Sequence, residues 1–514
     1  MATPLTIAIA QANQKNYALL LALADRYSEI DDFQLLLDLA RSLKGFGFVN
    51  RAVLVLTGIS IDAPISVINQ RDFLKAGLLQ DLGQHVEALS LYRQLLTDHP
   101  DNRNLFSNYL LALEYVSDVC DEDRYTAAIE WGMQIQNTIG KKPRPKMHDL
   151  GDRKLRIGYV SSDFCQHTVG LLINQVLIDQ TDFADVFTYS SGIVNDWVTD
   201  LVKAKTVFRD VSRLSDDAVA SCIKNDKIDV LVDLSGHTSN SRLAVFALRP
   251  SPVMISWLGY FATTGLQSMD AVLLDQWHVS KGSQCHFVEK IVLLSSGRIT
   301  YSTVPWMPEV SDLPFLKNGY ITFGSFNNTN KLNECVLVTW ACILKQLPTS
   351  KLILKWRTLN DPEIKKMIWQ FFESNGVLRG RVELRPSSFH NELLAEYQDV
   401  DICLDPFPFT GGLTSLEALY LGRPVVTWPQ SRVVSRQTFA FLSSMNLTEL
   451  ACVSREGYIA KAIELATDQN ALLNIHAGLR SKMRDSLLMN PKAQAMEIVT
   501  KVKELYLSIK RDES

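Results

Sequence analysis

The chain has 514 residues, with 52 lysines and arginines against 56 aspartates and glutamates, a formal net charge of −4. Its 46% hydrophobic and 21% charged content is that of a globular protein long enough for two or three domains. The charge balance excludes a general attraction to nucleic acid or an anionic membrane. The eight scattered cysteines, none in a CxxC pair or at zinc-ligand spacing from a histidine, predict buried free thiols in a reducing compartment.

The first residues show no basic stretch ahead of an apolar one, and no apolar run is long enough to span a bilayer. A cytoplasmic protein with no integral membrane segment is expected. Residues 1–138 read as helices, with Leu19-Leu20-Leu21 and Leu35-Leu36-Leu37 in stretches of helical spacing. Between Arg71 and Pro100, residues Ala76, Gly83, Ala88, Tyr92, Leu95 and Pro100 fall on the small, turn, small, aromatic, apolar and Pro positions of a tetratricopeptide template. The small residues let paired helices approach, and the proline ends the second helix. Such arrays make scaffolds or peptide grooves; a plain helical bundle has the same spacing.

Residues 139–153 (IGKKPRPKMHDLGDR) form a polar linker. After it, short apolar runs at 154–161, 187–190, 229–234, 253–258 and 271–274 alternate with helical segments such as Asp216–Lys224. This predicts a parallel, doubly wound sheet over residues 154–310. The pattern restarts near Tyr320, with strands at 321–326, 351–356, 381–385, 401–404 and 424–428, and closes on an amphipathic helix at 499–509. The expected fold is α/β: two Rossmann-like lobes, 154–310 and 318–514, facing a cleft and preceded by an all-α tetratricopeptide-like region.

The stretch Asp401–Thr427 (DICLDPFPFTGGLTSLEALYLGRPVVT) is a strand, a turn, the pair Gly411-Gly412 and a helix N-terminus around Thr414 and Ser415. Free N–H groups there suit an anion, and glycines admit a phosphate. Glu417, one turn in, can accept hydrogen bonds from two sugar hydroxyls. An ordinary strand-to-helix turn capped by Thr414 fits the same residues. His167, in the loop SSDFCQHTVG after the first strand, has the titration range for proton transfer, though a loop histidine also serves structural ends. His237 follows a strand end in DLSGHTSNSR. Lys331 and Asn328 lie in GSFNNTNKLNE; a lysine suits a diphosphate leaving group, and a surface lysine is the default. In RPSSFHNELLAEYQDVD, Ser387 or Ser388 is placed to cap a helix over Asn391–Gln398, and His390 is within reach of a nucleotide. Asp399-Val400-Asp401 reads as a solvated helix end, and no metal-binding constellation appears.

From Arg71 onward, RIGYVSSDFCQHTVG, DVLVDLSGHTSNSRLAVFALRPSPVMISWLGY, the strand-end Lys331 and DICLDPFPFTGGLTSLEALYLGRPVVT, in this order behind a tetratricopeptide unit, resemble the O-linked N-acetylglucosamine transferase / SPINDLY family, glycosyltransferase family 41. The resemblance implies a GT-B fold and an inverting, metal-independent glycosyltransferase. It implies a nucleotide-sugar donor, UDP-N-acetylglucosamine first, and no other cofactor. It implies Ser/Thr hydroxyls of a protein or peptide acceptor presented by the helical repeats and the cleft, with no nucleic acid. Family variation leaves open UDP-glucose or GDP-fucose, an Asn or glycan acceptor, and a non-catalytic binding module. Carried over, His167 matches the cleft histidine and Lys331 the lysine on the donor diphosphate. Asn328 falls where animal members have a glutamine near it. Gly412-Leu413-Thr414, with Gly411 and Ser415 beside it, takes the place of the phosphate segment. Glu417 matches the ribose-binding carboxylate and Ser435-Arg436 a Ser-Arg pair after it; His237 and His390 complete the candidate donor contacts. Leu413 replaces a threonine, His390 a nucleotide-contacting lysine, and Phe261-Ala262 a Pro-Gly pair; Leu294–Tyr301 departs from the usual segment.

Overall fold

The computed structural model describes residues 3–512. The N-terminal region is helical: α1 (Pro4–Asn13), α2 (Ala18–Asp25), α3 (Phe33–Gly45), α4 (Val49–Leu56), α5 (Ile65–Asp81), α6 (His85–Asp98), α7 (Arg103–Leu113) and α8 (Asp121–Ile139). Helices α5 and α6 form the hairpin expected of a tetratricopeptide unit. Gly83 makes the turn at φ 76°, a conformation that favours glycine. Ala76 and Ala88 are fully buried, and Tyr92 donates to Gln80 at 2.9 Å across the pair. Residues 140–153 contain no helix or strand.

Seven parallel strands form the first sheet: β1 (Arg156–Ser161), β2 (Asp185–Ser190), β3 (Val207–Asp210), β4 (Val230–Asp233), β5 (Val253–Ser256), β6 (Ala271–Leu274) and β7 (Lys290–Leu293). They are ordered β3-β2-β1-β4-β5-β6-β7. Five form the second: β8 (Thr322–Ser325), β9 (Lys351–Lys355), β10 (Val382–Arg385), β11 (Ile402–Leu404) and β12 (Val425–Val426), ordered β10-β9-β8-β11-β12. Two parallel α/β sheets in one chain are the lobes of the GT-B class. The order reverses between β1 and β4 and again between β8 and β11. Loops leaving the carboxyl ends of these strand pairs are where open α/β sheets bind ligands. The inner strands are buried throughout, which is why they read as apolar runs. The two strands not foreseen, β3 and β7, are sheet edges whose residues are exposed or half-buried.

Compactness divides the chain differently from the sequence boundaries. One unit contains the chain up to Leu105, Trp306–Trp428 and Leu450–Arg480. The other contains Phe106–Pro305, Pro429–Glu449 and the chain from Ser481. Within the first, the helical hairpin braces the loop after β8: His85 donates through Nε2 to the Asn330 carbonyl at 2.7 Å, and Thr329 donates to the Asp81 carbonyl. Burial lowers the His85 pKa, and the bond to the Asn330 carbonyl opposes that shift. Within the second, the C-terminal helix is longer than expected, Pro491–Asp512. It packs on α9 (Thr168–Gln180) of the first-lobe sheet, so it does not complete the second lobe. Glu497 accepts from the N–H groups of Ser295 and Ser296, and Gln494 donates to the Gly297 carbonyl at 2.6 Å.

Among the described residues no helix is long and apolar enough to cross a membrane. All eight cysteines are free; Cys165, Cys403 and Cys452 are buried as expected, but Cys120, Cys285 and Cys335 are exposed.

Candidate active site

In the second lobe, the loops leaving β8 and β11 meet at the order reversal. Lys331 ends a short 3-10 turn, Thr329–Lys331. Its ammonium donates to Asn327 Oδ1 at 3.1 Å and to the Thr410 carbonyl at 2.9 Å, and lies 4.8 Å from the centre of the Phe409 ring. Burial lowers its pKa from 10.5 to about 8, and the Asp405 carboxylate opposes the shift. The expected neighbour, Asn328, instead caps the turn by accepting from the Asn330 N–H at 3.2 Å. Asn327, which the sequence reading passed over, is the hub: its Oδ1 also accepts from Thr414 Oγ1 at 3.2 Å.

The glycine pair is held from behind. Asp405, buried after β11, accepts from the Gly411 N–H at 2.6 Å and from Thr427 Oγ1 at 2.7 Å. A Cβ at Gly411 would lie 2.1 Å from Ser415 Oγ and 3.0 Å from Asp405 Oδ1, so only glycine fits without a shift. The helix that follows is Leu413–Tyr420, with Gly412 as its N-cap and no capping side chain; Thr414 is inside the helix. Its first N–H groups are therefore not covered by a cap, as an anion site requires. Tyr397 pins this turn by donating to the Thr414 carbonyl at 3.0 Å.

Glu417 is 2% exposed, and its Oε1 lies 2.7 Å from His390 Nε2. Trp306 Nε1–H donates to His390 Nδ1 at 3.2 Å. Nε2 must then carry the proton and donate to Glu417. Burial raises the Glu417 pKa, and His390 pulls it back. Oε2 accepts no hydrogen bond among the described residues, which leaves it able to take a hydroxyl. His390 opens the helix His390–Glu396, which neither expected serine caps: Ser387 bonds Asn360, and Ser388 bonds Glu396. Asp401 is not a solvated helix end either. It is fully buried and accepts from the N–H groups of Phe315 and Thr322.

In the other unit, His167 is the N-cap of α9, with Nδ1 3.4 Å from the Val169 N–H and 3.6 Å from Asp163 Oδ2. Its side chain is 51% exposed. Gly170 allows the tight loop, because a Cβ there would meet the Cys165 carbonyl at 2.1 Å. Among the described residues no three His, Cys, Asp or Glu side chains are grouped to hold a metal.

The family model described as glycosyl transferase family 41 matches residues 132–300 and 312–498. The chain belongs to this family. A probable UDP-N-acetylglucosamine–peptide N-acetylglucosaminyltransferase SPINDLY of Solanum lycopersicum is 33% identical over 420 residues, 80% of this chain and 45% of that protein. The protein SEC of Arabidopsis thaliana, described likewise as a probable UDP-N-acetylglucosamine–peptide N-acetylglucosaminyltransferase, is 27% identical over 382 residues, 71% of this chain and 38% of its own. The chain thus spans less than half the length of these relatives. A solved mutant of the Thermobaculum terrenum O-GlcNAc transferase superposes with a TM-score of 0.88 at 28% identity, covering 100% of both chains.

Two of the donor contacts inferred for this family 41 chain are engaged elsewhere. His237 is 1% exposed; Nε2 bonds the Thr264 carbonyl at 3.0 Å and Nδ1 bonds Ser107 Oγ of α7 at 3.0 Å. Trp131 of α8 and Tyr260 pack edge-on against the ring, and burial lowers its pKa to about 4. With both nitrogens taken, the ring holds the helices to the sheet and has no atom left for a ligand. Arg436 donates to the carbonyls of Trp277 at 2.6 Å and Gln430 at 3.0 Å and stacks on Phe439. It fixes the loop after β12 within its own unit.

Proposed function

We propose that this chain is an inverting, metal-independent glycosyltransferase that moves N-acetylglucosamine from UDP-N-acetylglucosamine to Ser/Thr hydroxyls of a polypeptide. The observation that carries the reading is a lysine ammonium and an uncapped helix N-terminus converging on one glycine turn, with a buried carboxylate one helical turn away. In the proposed reaction the acceptor oxygen attacks the anomeric carbon in line. The bond to the diphosphate oxygen breaks, and its electron pair leaves with the nucleoside diphosphate. Lys331 and the first N–H groups of the helix Leu413–Tyr420 stabilise that charge, the term that dominates such steps. Glu417 takes ribose hydroxyls. His167 orients or deprotonates the acceptor hydroxyl. No cofactor beyond the donor is needed, the helical hairpins present the acceptor, and the eight free thiols support a cytoplasmic setting.

Leu413, the first residue of the helix where the family has a threonine, favours a second reading with UDP-glucose or GDP-fucose as donor. Release of nucleoside diphosphate from a panel of UDP- and GDP-sugars, with Lys331→Ala as control, separates the two. UDP from UDP-N-acetylglucosamine is expected. GDP release supports the second reading, and no release from any donor refutes the transferase.

A further inference from the structure

A cavity of about 350 Å³ lies wholly within the unit that contains the first sheet. Its walls are mainly apolar and aromatic, among them Leu110 and Leu113 of α7, Tyr125 of α8, Tyr260 and Phe261 after β5, and Val433. One side is rigid: Val433 packs with Val272 and Leu274, and Phe261 and Phe287 pack on that cluster. Three charged groups in the wall are engaged, while Lys281, also in the lining, is exposed. Glu114 pairs with Arg432 at 3.0 Å, and the Arg124 guanidinium donates to the carbonyl of Leu113 at the end of α7 and to those of Val116 and Val119 in the connection to α8.

Tyr260 is only 6% exposed, yet its hydroxyl has no hydrogen-bond partner among the described residues and is not among the fully occluded polar atoms. Tyr260 is one of the residues that line the cavity. The Tyr125 hydroxyl is likewise without a partner there. A buried phenol left unpaired is unfavourable, so the fitting ligand has an apolar body with a hydrogen-bonding group beside it. A polypeptide residue has that composition: an aromatic or aliphatic side chain flanked by backbone amides. A bare aromatic molecule would fill the cavity and leave the phenols unpaired. One wall is the last helical pair, the kind of element that lines peptide grooves.

We propose that this cavity is a side-chain subsite for the polypeptide acceptor, taking an aromatic or aliphatic residue whose backbone amides pair with Tyr260 and Tyr125. The proposal rests on the glycosyltransferase reading. Titration of the full chain with N-acetyl-phenylalaninamide, N-acetyl-leucinamide, N-acetyl-serinamide and toluene, followed by NMR, tests it. The first two should saturate, and the serine and toluene probes should bind at least tenfold more weakly. Tyr260→Phe keeps the volume and should weaken the phenylalanine probe about two- to tenfold, the range for one neutral hydrogen bond. Ala262→Trp at the wall should abolish binding. UDP binding, read in parallel, reports on the lysine site, so loss of UDP binding alone indicts the transferase reading and not the subsite. Equal binding of serinamide, preference for toluene, or undiminished binding in Ala262→Trp overturns the subsite.

Discussion

The buried ammonium of Lys331 ties donor binding to protons. Its pKa falls from 10.5 to about 8 because burial strips water from the charge, and two neutral acceptors and the Asp405 carboxylate only partly replace it. The fall corresponds to about 3 kcal/mol between charged and neutral forms. Below pH 8 the folded protein carries that penalty in full. As pH rises from 8 to 10.5 the unfolded chain still binds the proton and the folded one does not, so this group makes stability rise with pH in that window. A diphosphate brought against the ammonium favours the charged form and raises the pKa again. Binding of UDP should therefore draw in about 0.1 proton at pH 7, about 0.5 at pH 8 and about 0.9 at pH 9. Calorimetry in buffers of different ionisation enthalpy measures the uptake directly. Lys331→Ala should lose it and lower turnover about 100- to 1000-fold. The same substitution removes the desolvation penalty, so its melting temperature should stay near or above that of the unaltered chain. No uptake at pH 8 to 9, or the same uptake in Lys331→Ala, would refute the reasoning.

Four further substitutions probe the other residues of the proposed reaction and the glycine turn. Glu417→Gln keeps an acceptor for His390 but loses the charge; UDP affinity should fall about tenfold while 2′,3′-dideoxy-UDP binds both forms alike, as calorimetry can establish. Gly411→Ala forces a Cβ to within 2.1 Å of Ser415 Oγ and should destabilise the chain by about 1–3 kcal/mol in urea unfolding. Adding Ser415→Ala removes that atom, and part of the loss should return; strict additivity would mean the clash lies elsewhere. His167→Ala should lower turnover about 100-fold or more and leave UDP binding and melting temperature nearly unchanged, since its cap bond is long at 3.4 Å; parallel loss of UDP affinity would place it in donor binding.

What could be read in advance followed from local pattern, and what could not depended on distant partners. Strands β4, β5 and β8 are buried on both faces, so their apolar runs are visible in any window. The edges β3 and β7 lack that signature because solvent takes one side. In the loop after β8, two adjacent asparagines look alike on paper. Asn328 makes a bond two residues along the chain, whereas Asn327 joins Lys331 to Thr414, 87 positions away, and only the pairing of β8 with β11 brings them together. His237 depends on distant partners in the same way. A histidine after a parallel strand is well placed for a ligand, but Ser107, 130 positions earlier, and Trp131 close over it. Nothing within either stretch announces the other.

Asp405 shows how such long-range pairing makes a site from an ordinary turn. Buried at the end of β11, it holds the Gly411 N–H with one oxygen and Thr427 with the other, while its own carbonyl accepts from Tyr458 at 3.1 Å. It therefore sets the path of the glycine turn that leads into the helix N-terminus. Its negative charge is also what opposes the fall in the Lys331 pKa. Without it, the lysine would lose more of its proton at neutral pH, and the turn would lose the anchor that holds it close against Ser415. One carboxylate thus supports both cationic elements of the proposed diphosphate site, the ammonium by its charge and the helix terminus by its hydrogen bond.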